Sequence, residues 1–311
     1  MKRIVKLLGR LIYLCMTLTL LVACQSQDYK DNKENPGNQD TQDNKDNSGN
    51  QDTQDNQDNQ GSKDNHNTIE TSQLSDNIWL MNDNGEASGY IVVGSDKAAV
   101  IDTMNGSENV QDVVRTVTDL PLIVINTHGH PDHVYGNAYF DEAYIHPDDV
   151  SLAQESYRYP EYNDLRGKLK AAAFKTTEEG DSFDLGGITL EIYGIPGHTN
   201  GGICILDRED RVLFTGDSIN RHCWMQLDTC SSMEDFYLAL QRLNIIRADY
   251  DYILHGHAQR FEDATLYEEH MAAVKEVIDG TNAADDQDYE YFGGRCKIHY
   301  SSDGVGIVYN P

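Results

Sequence analysis

Three imidazoles and one carboxylate are packed into a single short run, Thr127-His128-Gly129-His130-Pro131-Asp132-His133. In extended chain, residues two apart project the same way, so His128 and His130 can reach one metal ion together. Gly129 and Pro131 make a tight bend natural, after which Asp132 and His133 turn toward a second ion. Three later segments repeat the theme, each setting a His or Asp beside glycine after a β-type apolar run: Ile195-Pro196-Gly197-His198-Thr199, Leu213-Phe214-Thr215-Gly216-Asp217 and Ile253-Leu254-His255-Gly256-His257. Glycine lets backbone pass close to a crowded site. The four segments offer His128, His130, Asp132, His133, His198, Asp217 and His257, a nitrogen and oxygen donor set suited to two zinc ions and open to iron or manganese. His255 is read as structural. A chance surface cluster of histidines would not recur at four strand ends.

Such donors need a scaffold that presents strand ends side by side. From Asn77 the chain alternates strand signals with turns: Ile78-Trp79-Leu80-Met81, Tyr90-Ile91-Val92-Val93 and Ala98-Ala99-Val100-Ile101. A helix is expected next, with Ser107 as its N-cap, Val110, Val113, Val114 and Val117 at helical spacing, and Pro121 forcing the chain out. Leu122-Ile123-Val124-Ile125 then reads as a strand covered on both faces. A stretch near 147–175 has helix formers and Tyr157, Tyr159 and Tyr162. Beyond it a second strand-rich set follows (188–195, 203–206, 212–215 and 252–254), with helices near 232–246 and 262–279. Two similar halves imply an α/β fold of two packed sheets flanked by helices.

The chain divides into three parts. Residues 1–24 carry Lys2, Arg3, Lys6 and Arg10 and then an apolar run from Leu11 to Ala23, too short to span a bilayer comfortably and expected to act as an export signal. Leu21-Val22-Ala23-Cys24 resembles the lipobox of bacterial lipoproteins. That resemblance implies lipidation at Cys24, an exported protein, and extracytoplasmic anchoring to the cell membrane. Residues 25–68 are polar, with Gly37 to Asn44 copied at Gly49 to Asn56, and are expected to be a disordered spacer. Residues 69–311 have the composition of one folded domain. Taking the leader's four cations and the spacer's six excess acids out of the formal −28 leaves −26 on that domain, which argues against nucleic acid as a partner and leaves a small-molecule substrate. Cys204, Cys223, Cys230 and Cys296 form no C-x-x-C pair; a bridge between Cys223 and Cys230 stays open.

In order, the motifs H-x-H-x-D-H, P-G-H-T, T-G-D and G-H resemble the metallo-β-lactamase superfamily, in particular its glyoxalase II-like hydrolases, over roughly residues 76–260. The resemblance implies a four-layer αβ/βα sandwich of two mixed sheets, with the site at the edge between them. It also implies one metal on His128, His130 and His198, a second on Asp132, His133 and His257, and Asp217 bridging both. Two dications lower the pKa of a shared water, so that hydroxide is available as nucleophile, and polarise the carbonyl it attacks. Asp132 is the expected catalytic carboxylate, steering that water or accepting its proton.

The expected reaction is hydrolysis of an ester, thioester, lactone or lactam carbonyl. Enzymes of the superfamily that open β-lactams with an H-x-H-x-D-H motif usually lack the bridging aspartate present here as Asp217. Homoserine lactonases often carry Tyr three residues after that aspartate, where this chain has Asn220. The competing readings are a mononuclear iron persulfide dioxygenase, a β-lactamase and a catalytically silent metal-binding protein. His222 and Trp224, just after Asp217, are the candidates for substrate contact.

Overall fold

The computed structural model describes residues 69–156, 173–291 and 294–311. The export signal with Cys24, the spacer at 25–68 and the tyrosines at 157, 159 and 162 lie outside the described residues. The first sheet follows chain order: β1 (Glu70–Gln73), β2 (Ile78–Asp83), β3 (Ala87–Val93), β4 (Ala98–Ile101), β5 (Leu122–Ile125), β6 (Glu142–Ile145) and β7 (Ala173–Thr176). Its strands are antiparallel up to β4 and parallel from β4 to β7. The second sheet contains β8 (Ser182–Asp184), β9 (Thr189–Gly194), β10 (Ile203–Asp207), β11 (Val212–Gly216), β13 (Tyr252–His255) and β14 (Glu262–Asp263), in the order β14-β13-β11-β10-β9-β8.

Alternation along the second sheet explains how both of its faces are buried. Ile205, Phe214 and Leu254 point inward against Val92, Ile101 and Ile125 of the first sheet, forming the middle of the sandwich. Their neighbours Cys204, Leu213 and Ile253 point outward, where α4 (Met233–Leu243) and α5 (Leu266–Asp279) cover them with Phe236, Leu240, Tyr267 and Val274. On the outer face of the first sheet, α1 (Val110–Arg115) lays Val110 and Val114 over Ile91, Val100 and Val124. These are the four expected layers. Two shorter helices, α2 (Pro131–Val134) and α3 (Pro147–Ser156), follow β5 and β6.

Helix boundaries depart from the sequence reading for identifiable reasons. Ser107 is not the N-cap of α1; its hydroxyl donates to Asp83 Oδ1, and the helix starts at Val110 after Asn109. Ser232 does cap α4, its Oγ accepting from the Asp235 N–H, with Glu234 and Asp235 complementing the dipole of the first turn. The C-terminal helix begins at Leu266 rather than 262, because Glu262 and Asp263 pair with β13 as an edge strand. It stops at Gly280, whose φ of +65° is the left-handed cap that glycine adopts without strain.

A third sheet was not anticipated. The strands β12 (His222–Trp224), β17 (Gly306–Tyr309), β16 (Gly294–Tyr300) and β15 (Gln287–Tyr291) form it in that order, so the C-terminal tail packs beside the segment that follows Asp217. The four described cysteines are free, which leaves Cys223 and Cys230 unbridged.

Candidate metal centre

The donors come together at one edge of the sandwich because strand ends deliver them. Parallel pairing sets Ile101 beside Ile125, so β4 and β5 release Asp102 and Asn126-Thr127-His128 at the same end. Likewise β11 and β13 run parallel and end in Gly216-Asp217 and His255-Gly256-His257. Two groups result: His128, His130 and His198, and beside them Asp132, His133, Asp217 and His257. Within each group the donor atoms all lie within 4.8 Å of one another. All seven expected ligands are therefore gathered, while His255 stands outside both groups, its Nδ1 accepting the His257 backbone N–H.

Asp217 joins the groups. Its Oδ2 is 3.1 Å from His257 Nε2 and 3.7 Å from His198 Nε2, and its Oδ1 is 3.6 Å from His133 Nε2. Asp132 Oδ2 lies 3.3 Å from His133 Nε2 and 3.7 Å from His257 Nε2. The two carboxylates differ in access, for the Asp132 side chain is 33% exposed and that of Asp217 only 12%. Asp132 is thus the one open to an incoming molecule.

Each ring is oriented from behind. His198 Nδ1 donates to the Trp224 carbonyl at 2.6 Å and His257 Nδ1 to the Glu86 carbonyl at 2.8 Å. His133 Nδ1 donates to Asp102 Oδ2 at 2.9 Å. The Thr127 hydroxyl has one hydrogen, which it gives to Asp102 Oδ2 at 2.7 Å, so the 3.1 Å contact with His128 Nδ1 is donated by the ring. In these four histidines Nδ1 faces the acceptor behind the ring and Nε2 is turned toward the centre, the atom a metal would take. His130 presents Nδ1 instead, 2.8 Å from His198 Nε2. His128 Nε2, His133 Nε2 and Asp217 Oδ1 are buried without a hydrogen-bond partner. Orphaned polar atoms of this kind are costly, and cations between the converging donors would satisfy them, so the residues fit two metal ions.

Electrostatics divide the rings into two sets. Burial holds His128 far below the ordinary histidine range and takes His130 down to about 3, which keeps both rings neutral. Burial also opposes charge on His133 and His257. The surrounding carboxylates nevertheless prevail, raising His133 well above its usual value and His257 to about 9. Burial would raise Asp132, yet the imidazoles of His133 and His257 bring it to about 2.

Two supporting residues escaped the sequence reading. Asp102 accepts from the Thr127 N–H at 2.8 Å, as well as from Thr127 Oγ1 and His133. Asp149, on α3, accepts from Gly129 N, Gly201 N and Thr199 Oγ1 at 2.7–2.8 Å and so ties the first ligand loop to the His198 loop. The available signal for Asp102 was its place at the end of an apolar run parallel to the one feeding His128. His222 and Trp224 lie on β12, both half-buried, beside the centre rather than in either donor group.

Residues 83–257 match the model of the metallo-beta-lactamase superfamily. The chain belongs to this superfamily. Among curated proteins, this superfamily member is similar to the acyl-coenzyme A thioesterase MBLAC2 of Gallus gallus, 28% identical over 209 residues that cover 58% of this chain and 76% of that protein. It is also similar to the Homo sapiens protein of the same name, 25% identical over 230 residues covering 62% and 82%. Among solved structures, a metallo-beta-lactamase from Pontibacter korlensis superposes with a TM-score of 0.55 at 19% identity, covering 67% of this chain and 99% of that one. DIM-1 metallo-beta-lactamase superposes with a TM-score of 0.54 at 16% identity, covering 67% and 97%. These likenesses establish the αβ/βα sandwich, and the chain is a hydrolase of the superfamily.

Proposed function

We propose that this hydrolase is a binuclear, glyoxalase II-like enzyme that cleaves an activated carbonyl, with a thioester as the favoured substrate ahead of an ester, lactone or lactam. The observation that carries the reading is the shared carboxylate of Asp217, which reaches donors of both groups. Thioester cleavage gains support from the names of the similar curated proteins. His128, His130 and His198 would hold one ion and Asp132, His133 and His257 the other, with Asp217 common to both; zinc suits five imidazoles and two carboxylates. Ions bound there supply a water of lowered pKa and polarise the carbonyl.

The chain's own residues provide position and proton handling. Asp132, open to the cleft, orients the attacking water and accepts its proton. Asp102, Thr127 and the Trp224 and Glu86 carbonyls hold the rings so that nothing must reorganise as the reaction proceeds. The same enzyme is proposed to be exported and lipid-anchored through Cys24. Elemental analysis of purified protein should find two metals per chain, and a panel of thioesters, esters, lactones and β-lactams should show turnover greatest on the thioester. One tightly bound iron with oxygen-dependent turnover would replace this reading with a dioxygenase, and full metal loading without turnover on any member would leave a binding protein.

A further inference from the structure

The superfamily match ends at His257, but the chain continues to Pro311 and builds three of the four strands of the third sheet. A histidine far along the chain from the metal ligands fastens this tail. His299, on β16, is 2% exposed, and each of its ring nitrogens meets a carboxylate. Nδ1 lies 2.7 Å from Oδ1 of Asp286, the residue before β15, and Nε2 lies 2.9 Å from Oε2 of Glu276 on α5. An ionised carboxylate can only accept, so both nitrogens carry hydrogen and the ring is an imidazolium. The Asp286 side chain is 4% exposed, and its Oδ2 accepts from the Tyr309 hydroxyl of β17 at 2.5 Å. Helix α5, the turn before β15, β16 and β17 thus meet at one buried cation.

Neighbouring cations are paired elsewhere. Lys297 of β16 reaches Asp288 of β15 at 2.6 Å and the Asp286 carbonyl at 3.5 Å, while Lys275 of α5 pairs with Asp279. Burial alone would lower the pKa of His299, but the hydrogen bonds to Glu276 and Asp286 raise it above its ordinary 6.5. A histidine raised on folding stabilises fully below 6.5, and that contribution is lost as pH climbs through the folded value.

The strand ladder leads from this cluster to the metal centre. His299 is the register partner of Ile307 on β17, and Ile307 is that of Cys223 on β12. The Gly306 N–H donates to the Arg221 carbonyl at 2.9 Å and the Met225 N–H to the Val308 carbonyl at 2.7 Å, so β17 grips β12 at both ends. Next to Cys223 stands Trp224, whose carbonyl accepts from His198 Nδ1 at 2.6 Å. A β12 that shifts with β17 carries away the acceptor that orients His198.

We propose that His299 is a protonation-dependent clasp on the C-terminal strands and, through β17 and β12, a positioning residue for His198. When the ring gives up one proton to solvent, a bare nitrogen faces a carboxylate and the clasp opens. The effect on His198 rests on the metal-centre reading; the clasp itself does not.

The test follows the full-length protein from about pH 6 to about pH 9. Ring NMR signals, assigned by their loss in His299→Gln, give the His299 midpoint, which is expected above 6.5. Extraction of zinc by a chelator should quicken at least about threefold as pH rises through that midpoint. Proton competition at the ligands runs the other way, since acid frees metal. Glu276→Gln removes one carboxylate at the partly exposed rim and should lower both midpoints together by about one pH unit. His299→Gln should release zinc at low pH as fast as the unaltered protein does at high pH. A His299 that is neutral at pH 7, or a release midpoint that stays put while Glu276→Gln moves that of the ring, overturns the proposal. Amide protection of Gly306 and Met225 reads the clasp without metal. If that protection falls through the His299 midpoint but the protein binds no zinc, the clasp stands and the metal-centre reading falls.

Discussion

Asp217 is where a single substitution should distinguish two metal sites from one. Its carboxylate approaches His198 on one side and His133 and His257 on the other, so Asp217→Ala should lower occupancy of both sites. His257→Ala removes a donor from one group only and should weaken chiefly that site. Asp132→Asn keeps an oxygen donor but not the proton acceptor, so kcat should fall further than metal content. Elemental analysis beside single-turnover kinetics checks all three, and full activity in Asp217→Ala would sink its bridging role. Asp102 supports the same centre from behind. Asp102→Ala strips His133 and Thr127 of their common acceptor and should cost roughly 10–100-fold in metal affinity or kcat/KM, read by chelator competition. The ligands were legible because imidazoles rarely crowd together for packing reasons. Asp102 was not, because one aspartate closing an apolar strand has the same local sequence whether it braces a ligand or faces water.

At the scale of elements, glycine does what the motif reading expected of it. A β-carbon on Gly256 would stand 2.3 Å from Asp217 Oδ1 and 2.5 Å from His133 Cε1, so only bare backbone lets β13 deliver His257 so close to its neighbours. The long apolar strands were legible for the same reason that they are stable, since each hides both faces. The third sheet was not, because β12 is three residues long and β15 exposes polar side chains that resemble a loop. Asp207, closing β10, gives this scale its own test. Its Oδ1 accepts the Asp210 N–H, its Oδ2 is buried without a partner, and burial raises its pKa from 3.8 to about 7. A carboxyl raised on folding adds nothing below the unfolded pKa of 3.8, and it destabilises progressively as pH climbs to about 7, after which the penalty is constant. Asp207→Asn is neutral throughout and keeps the Oδ1 acceptor. It should therefore raise Tm more at pH 8 than at pH 5, by several degrees at roughly 2–4 °C per kcal/mol. An equal shift at both pH values would show that Asp207 does not change its charge state between them.

For the whole molecule, the question is how an acidic domain is held where its substrate is. Among the described residues no helix is long and apolar enough to cross a membrane, and the proposed attachment is a lipid on Cys24. The reading rests on placement: a basic start, the run from Leu11 to Ala23, then Cys24 where polar sequence begins. A lipid on Cys24 would leave residues 25–68 as the only connection to the domain. A flexible chain of that length has a typical end-to-end distance of roughly 35–40 Å, and its excess acids extend it further. A disordered spacer, as its composition leads us to propose, would with that reach hold the domain clear of the headgroups. Two changes in the chain then separate tether from catalyst. Cys24→Ala should release the protein from the membrane fraction or leave the leader unprocessed, while deletion of residues 25–68 should hold kcat/KM within about threefold, below roughly 1 kcal/mol. Mass spectrometry of the mature protein completes the test, because a lipid-free N-terminus downstream of residue 24 removes the anchor, and a large loss of kcat/KM on deletion makes the spacer part of the catalyst.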